Sequence, residues 1–294
     1  MSADGDVTTG AVSLDHVGVA GPDLGALAAA YERLGFALTP LARHAGKRTP
    51  DGPVEPFGTG NRCIMLRDGY IELIAIVDPS AFGNLIGSAL ARYAGIHIVA
   101  LGIDEEQANL DRLRRAGIDI PGVAYLERPV DDADPTGPQA RFARLPLPDA
   151  PEGRIMLIRH LTPDAIWQER FMSHPNHAVA LEEVLVAVAE PAETAARFAR
   201  LAGRPAVPDL AGGFALPLPR GRVRLLSREG LQQALPELQP PTLPFIAGVT
   251  LRSDDGNAAM AALLRARAIR YRPVADGLLV DPSEAGGAAL LFSG

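Results

Sequence analysis

The sequence predicts an α+β protein of four β-α-β-β-β modules, pairing into two curved, mostly antiparallel half-barrels. Three observations lead there. The first is a repeat, in which "LDHVGVAGPDLGALAAAYERLGF", "AGIHIVALGIDEEQANLDRLRRAGI", "LEEVLVAVAEPAETAARFARLAGRP" and "IAGVTLRSDDGNAAMAALLRARAIRYR" share one pattern. The second is a change of period inside each copy. A β-branched run gives way, after Asp23, Asp104, Glu190 or Asp255, to an Ala/Leu/Arg helix that stops near Gly35, Gly117, Gly203 or Ala268. The third lies beyond the helix, where short apolar runs broken by Gly, Pro and Asp read as three further strands.

Taken in order, the first strand is "LDHVGVAG", Leu14 to Gly21. Leu24, Leu27, Ala28, Tyr31 and Leu34 then recur at helical spacing and leave Glu32 and Arg33 outside. The strands expected after this helix are "FALTPLA", "RCIML" and "YIELIAIV". In the second copy Leu110, Leu113 and Ala116 mark the helix, and "IDIPGVAYLE", "ARFARLPL" and "RIMLIRHL" the strands. "PVDDADPTGP" reads as a solvated loop within that copy. Residues 1–13 are expected to be a disordered leader and 14–162 an N-terminal domain of two modules. A linker is expected at 163–177, with Pro163 and Pro175 bracketing a short helix, and a degenerate C-terminal domain at 178–294.

The formal charge of −7 and the lack of a basic run speak against nucleic acid or an anionic membrane as partner, because phosphates need clustered Lys and Arg. A small molecule is the expected partner. Charges and prolines interrupt the most apolar stretch, so no membrane helix is expected. The single cysteine, Cys63, excludes a disulfide framework and reads as a small buried hydrophobe; a cytoplasmic location suits it.

Histidines carry the chemistry. His16 lies seven residues before Asp23 and His97 seven before Asp104, while the same offset lands on Glu183 and Gly248 in the other copies. Two of four equivalent positions are histidine in a chain with six. Period-2 alternation puts His16 on a face with Gly18 and Ala20, opposite Val17 and Val19, and the small neighbours leave room for a ligand. Glu72 stands in the apolar "GYIELIAIV". It must be paired, hydrogen-bonded, metal-bound or at a sheet margin, since a lone buried carboxylate is costly. His44 reads as solvated loop, with contact to an acidic substrate from above the bowl as the alternative, His174 and His177 as organisers of the turn into the third copy, and Trp167 as an anchor for the linker in preference to a cavity wall.

With these residues in view, the modules, together with "GTGNRCIMLRDGYIELI" and "SHPNHAVALEEVLVAV", resemble the vicinal oxygen chelate superfamily and, within it, the glyoxalase-like branch. That superfamily takes in glyoxalases, extradiol dioxygenases and bleomycin-resistance proteins. The resemblance implies a divalent metal ion (Fe, Mn, Zn or Ni) held by His16, His97 and Glu72, with open positions for substrate. The usual fourth ligand position falls on Met156, and His160, four residues on, would serve as ligand, general base or substrate contact. The implied activity is that of a metal-dependent lyase, isomerase or dioxygenase, with Glu72 and His160 catalytic and a substrate that chelates through adjacent oxygens. The alternative is a metal-free protein that binds or sequesters a small molecule. A homodimer is compatible with either.

Overall fold

The computed structural model describes residues 9–47, 52–83, 86–131, 133–148 and 150–294. The first module is β1 (Ser13–Ala20), α1 (Leu24–Arg33), β2 (Ala42–Lys47), β3 (Val54–Met65) and β4 (Tyr70–Ile76), and the short α2 (Ile86–Leu90) leads out of it. The second is β5 (Gly95–Gly102), α3 (Glu106–Arg115), β6 (Ala124–Pro129), β7 (Gln139–Pro146) and β8 (Arg154–His160). Two single-turn helices, α4 (Pro163–Ile166) and α5 (Glu169–Met172), then precede the third module. That module has β9 (Ala178–Ala187), α6 (Pro191–Ala202), β10 (Val207–Asp209), β11 (Gly213–Pro217) and β12 (Arg222–Leu226), followed by α7 (Arg228–Ala234). The fourth has β13 (Phe245–Ser253), α8 (Ala258–Ala266), β14 (Tyr271–Val274), β15 (Gly277–Val280) and β16 (Ala289–Ser293).

The expected module recurs four times. In each, the first strand runs parallel to the last, β1 with β4, β5 with β8, β9 with β12 and β13 with β16, and the remaining pairs are antiparallel. The crossover helix makes the parallel pairing possible, because only a connection of that length returns the chain in the same direction. First strands also join modules, β1 antiparallel to β5 and β9 to β13. A pairing of Ile96 with Ile246 ties the halves into one 16-stranded sheet, and bridges of Ser13 with Arg220 and Asp68 with Ala180 also join them.

The capping residues behave as their chemistry requires. The Asp23 carboxylate accepts from the Ala26 N–H at 2.7 Å, and the Asp255 carboxylate from Ala259 at 2.6 Å, although the cap position itself is Asn257. In α3 the cap is Glu105 rather than Asp104. Gly35, Gly117, Gly203 and Ala268 all end their helices at positive φ, which glycine adopts without strain and alanine does not. The stretch "FALTPLA" is not the strand expected. Phe36, only 3% exposed, turns into the core directly after Gly35, Pro40 has no N–H for a ladder, and pairing starts at Ala42.

The sheet has two faces with different neighbours. Val17, Val19, Val99, Leu101, Ile155 and Leu157 join the helices in one core that runs through all four modules. Each such buried side chain contributes about 1.5–3 kcal/mol relative to exposure. The opposite face of the first two modules carries Ala20, Ile74, Ile98, Ala100, Met156 and Ile158. Helix ends clasp the halves together. Arg33 donates to the Arg267 and Ala268 carbonyls, Arg267 to those of Glu32 and Arg33, and Arg112 to those of Arg200 and Leu201. The expected leader meets the fold at its end, where Ala11 is buried and its N–H donates to Ala202; residues 1–8 lie outside those described.

Candidate functional site

The inner face of the first two modules gathers the titratable side chains, and a bulge in β1 arranges them. The register against β5 shifts between Leu14 and His16, so Leu14 and Val17 both face the helices while Asp15 and His16 both turn away. Asp15 Oδ1 then stands 2.7 Å from His16 Nδ1 and 3.1 Å from His160 Nε2. Burial works against the Asp15 charge, but His160 and His16 outweigh it and hold the carboxyl well below the usual range. An ionised carboxylate can only accept, so His16 Nδ1 and His160 Nε2 are the donating nitrogens. His16 is thereby left with Nε2 to offer, while its ring stacks on Tyr70 with centroids 4.3 Å apart. His160 Nδ1 is buried and has no hydrogen-bond partner. Asp15 and His160 also line a cavity of about 530 Å³ at the seam with the C-terminal half, together with Arg67, Trp167, Leu181 and Arg220.

Glu72 is the second centre. Its strand pairs with β1 so that Glu72 lies opposite Gly18, two residues along from His16. Oε1 accepts from Asn61 Nδ2 at 2.5 Å, and His44 Nε2 stands 3.6 Å away. Burial alone would raise this carboxyl, but His44, His16 and the Asn61 amide bring it below its ordinary value. It is therefore ionised at neutral pH. The side chains of Glu72 and His44 keep 12% and 19% of their surface, enough to be touched by a small molecule. His44, expected in a solvated loop, sits on β2 with Nδ1 at 2.9 Å from Thr59 Oγ1.

His97 lies elsewhere on the sheet. It is the extra residue of a second bulge, skipped where Gly18 pairs with Ile98 and Val19 with Ile96. His16 pairs with Ala100, so His97 is three residues farther along β5, roughly 10 Å at strand rise. Its ring stacks on Tyr93 at 4.1 Å, its Nε2 donates to the Tyr93 carbonyl, and it lines a separate pocket with Ile86, Arg92 and Arg154. Burial holds its pKa below the ordinary imidazole value. His16 and Glu72 are neighbours that could share an ion, but the set of His16, Glu72 and His97 is not brought to one point. Among the described residues no three His, Cys, Asp or Glu side chains are placed to hold a metal. Met156, at the fourth position, is part of the apolar face.

The remaining histidines are structural. His174 accepts from the Ala37 N–H on Nδ1 and donates from Nε2 to the Met65 carbonyl, which fills both nitrogens. It thereby ties the linker to the first module. His177 contacts Asp254. Trp167 Nε1 donates to the Leu66 carbonyl, and its ring meets His160 edge-on at 4.8 Å, so the anchor also walls the cavity. Cys63 is buried, and burial with the Glu72 charge pushes its thiol up to about 12. Native protein at pH 8 is expected to resist alkylation by iodoacetamide and to react once unfolded; stoichiometric labelling of folded protein, read by mass spectrometry, would show the burial wrong.

In the C-terminal half the position matching His16 holds Glu183, 2% exposed. It accepts from Arg222 Nε, lies 3.5 Å from Arg224 Nη1 and takes a hydrogen bond from Thr250 at 3.2 Å. Arg224 in turn grips Asp209 through two bonds of 2.7 and 2.8 Å. Ion pairs fill the place that the N-terminal half keeps for an imidazole.

Paired modules of this topology, with a few titratable side chains set into an apolar inner face, define a glyoxalase-type fold. The chain belongs to the family of the glyoxalase-like domain, whose model matches residues 14–202, both N-terminal modules and the start of the third. No curated protein matches the sequence. Among solved structures, a hypothetical protein from Staphylococcus aureus is similar at a TM-score of 0.61 and 13% identity, over 96% of this chain and 98% of that one. The Mn(II)-bound glyoxalase from Novosphingobium aromaticivorans is similar at 0.58 and 14%, over 97% and 83%. A catechol 2,3-dioxygenase is similar at 0.55 and 12%, over 97% and 88%. Identities this low carry the fold alone.

Proposed function

We propose that the inner face of the N-terminal half is the active site of a glyoxalase-like enzyme that moves a proton on a small, oxygen-bearing substrate. The observation that carries this is Glu72, a buried carboxylate kept ionised by His44, His16 and Asn61 yet still exposed enough to be reached. Buried ionised groups with dedicated partners cost stability and cluster at functional sites. In this reading Glu72 takes a proton from substrate carbon beside a carbonyl, and His16, oriented by Asp15 through Nδ1–H, turns its accepting nitrogen, Nε2, toward a hydroxyl of the substrate. His160 shares the Asp15 oxygen and fixes its position.

The metal-dependent form of this activity, with substrate chelated through adjacent oxygens, would need a third donor to join His16 and Glu72. The apolar residues Ile74, Ile98, Met156 and Ile158 favour the second reading, a protein that binds or sequesters a small molecule without chemistry.

The test is hydrogen exchange. Small 2-oxo and 2-hydroxy acids and aldehydes in D₂O are expected to gain deuterium beside the carbonyl in the presence of the protein, as read by NMR. Glu72→Gln should slow this by roughly 100-fold. Exchange on no member of the panel, or exchange indifferent to Glu72→Gln, would leave the binding protein standing. Metal analysis of the same protein, purified without chelator, decides whether an ion takes part.

A further inference from the structure

The strands facing Glu72 across the inner face carry arginines. β7 alternates so that Ala143 and Leu145 enter the core, and Phe142 and Arg144 turn to the inner face. Arg144 Nε is buried without a hydrogen-bond partner, and no ion pair joins its guanidinium to a described residue. Its neighbours make this less comfortable: burial and the charge of Arg154 both disfavour its protonated form, and Glu72 is the carboxylate that offsets them. Arg128, on β6, adds its charge near Glu72, Cys63 and Tyr70. Two arginines, Arg144 and Arg128, thus act on the charge of one carboxylate, in a chain whose net charge is −7.

A structural guanidinium in a protein interior is matched by carboxylates or carbonyls, as Arg224 is by Asp209 and Glu183 in the other half. Arg144 has no such match. A planar oxyanion is what its fork of donors fits best.

Resting on the function proposed above, we infer that Arg144 binds the substrate through an oxyanion group, and that the carbon next to that group faces Glu72. The substrate class is then a small organic acid rather than a neutral aldehyde or ketone. Arg144 is a binding residue in this scheme; the proton moves elsewhere.

Calorimetric titration of the full chain with pyruvate, lactate and inorganic phosphate tests this, with methyl pyruvate as the uncharged counterpart. At least one of the anions is expected to bind 10-fold or more tightly than methyl pyruvate, and Arg144→Met to abolish that preference while Arg144→Lys keeps part of it. Binding of the two organic acids identifies a carboxylate, and binding of phosphate alone a phosphate group. Because the guanidinium is unmatched in the free protein, Arg144→Met should melt at or above the wild-type temperature, whereas loss of a structural arginine would lower it. Equal binding of pyruvate and methyl pyruvate, no binding of any anion, or a clear drop in melting temperature for Arg144→Met would each overturn the proposal. The outcome is separate from that of the exchange test, since anion binding can fail while Glu72 still moves a proton, and can succeed where it does not.

Discussion

Asp15→Ala is expected to lower the stability of the protein by about 3–5 kcal/mol at pH 7, the cost of leaving buried groups without their charged partner. The aspartate is 8% exposed and a single oxygen serves two imidazole N–H groups, so its removal strands both. The pH dependence has a definite sign. The folded-state pKa of Asp15 is depressed, so its contribution is fully present above the unfolded value near 3.9 and disappears as pH falls toward the folded value. Urea denaturation of wild type and Asp15→Ala should therefore give a constant difference from pH 7 down to about 5, narrowing below about 4. A difference under about 1 kcal/mol at pH 7 would mean that water replaces the carboxylate without cost. Asp15→Asn separates charge from shape: it keeps an acceptor but loses the ion, and should fall between the two.

Arg224→Ala should cost a similar 3–5 kcal/mol in the other half of the molecule, because Glu183 and Asp209 would keep their charges and lose their shared partner. The Arg224 side chain is only 17% exposed and that of Glu183 only 3%, so solvent can restore little. Arg222 contributes less by the same reasoning, since over half of its side chain is in water. Replacing the pair together, Glu183→Leu with Arg224→Met, should recover more than half of the loss. Denaturation of the single and double variants checks this, and additive losses in the double variant would show that the two charges are not coupled.

Much of the fold was legible because it rests on periodicity. Helical spacing located α1 and α3, glycines marked where helices stop, and the repeat supplied the module count. The missed strand shows the limit: "FALTPLA" has the composition of a strand, but Phe36 is claimed by the core before the chain can pair. The site was legible only in part, and for a single physical reason. Strict alternation assigns each residue a face, and two bulges break it. Alternation sends Asp15 toward the helices with Val17, whereas the bulge turns it beside His16. The second bulge places His97 against Tyr93, away from the residue it matches in sequence. An acid next to a histidine in an apolar strand was the available signal for Asp15. Arg144 gave none, since arginine in a half-buried strand is ordinary on most surfaces, and His44 gave only the weak signal of a histidine in a polar loop beside Lys47 and Arg48.

The guanidinium clasps at the helix ends bear on how such a molecule can be divided. Here the C-terminal carbonyls of α1, α6 and α8 are satisfied by arginines from the opposite half. Each half thus relies on the other to satisfy its own helix ends. Neither half can be cut away without leaving those carbonyls of the other unpaired, so the two must be engineered as one unit.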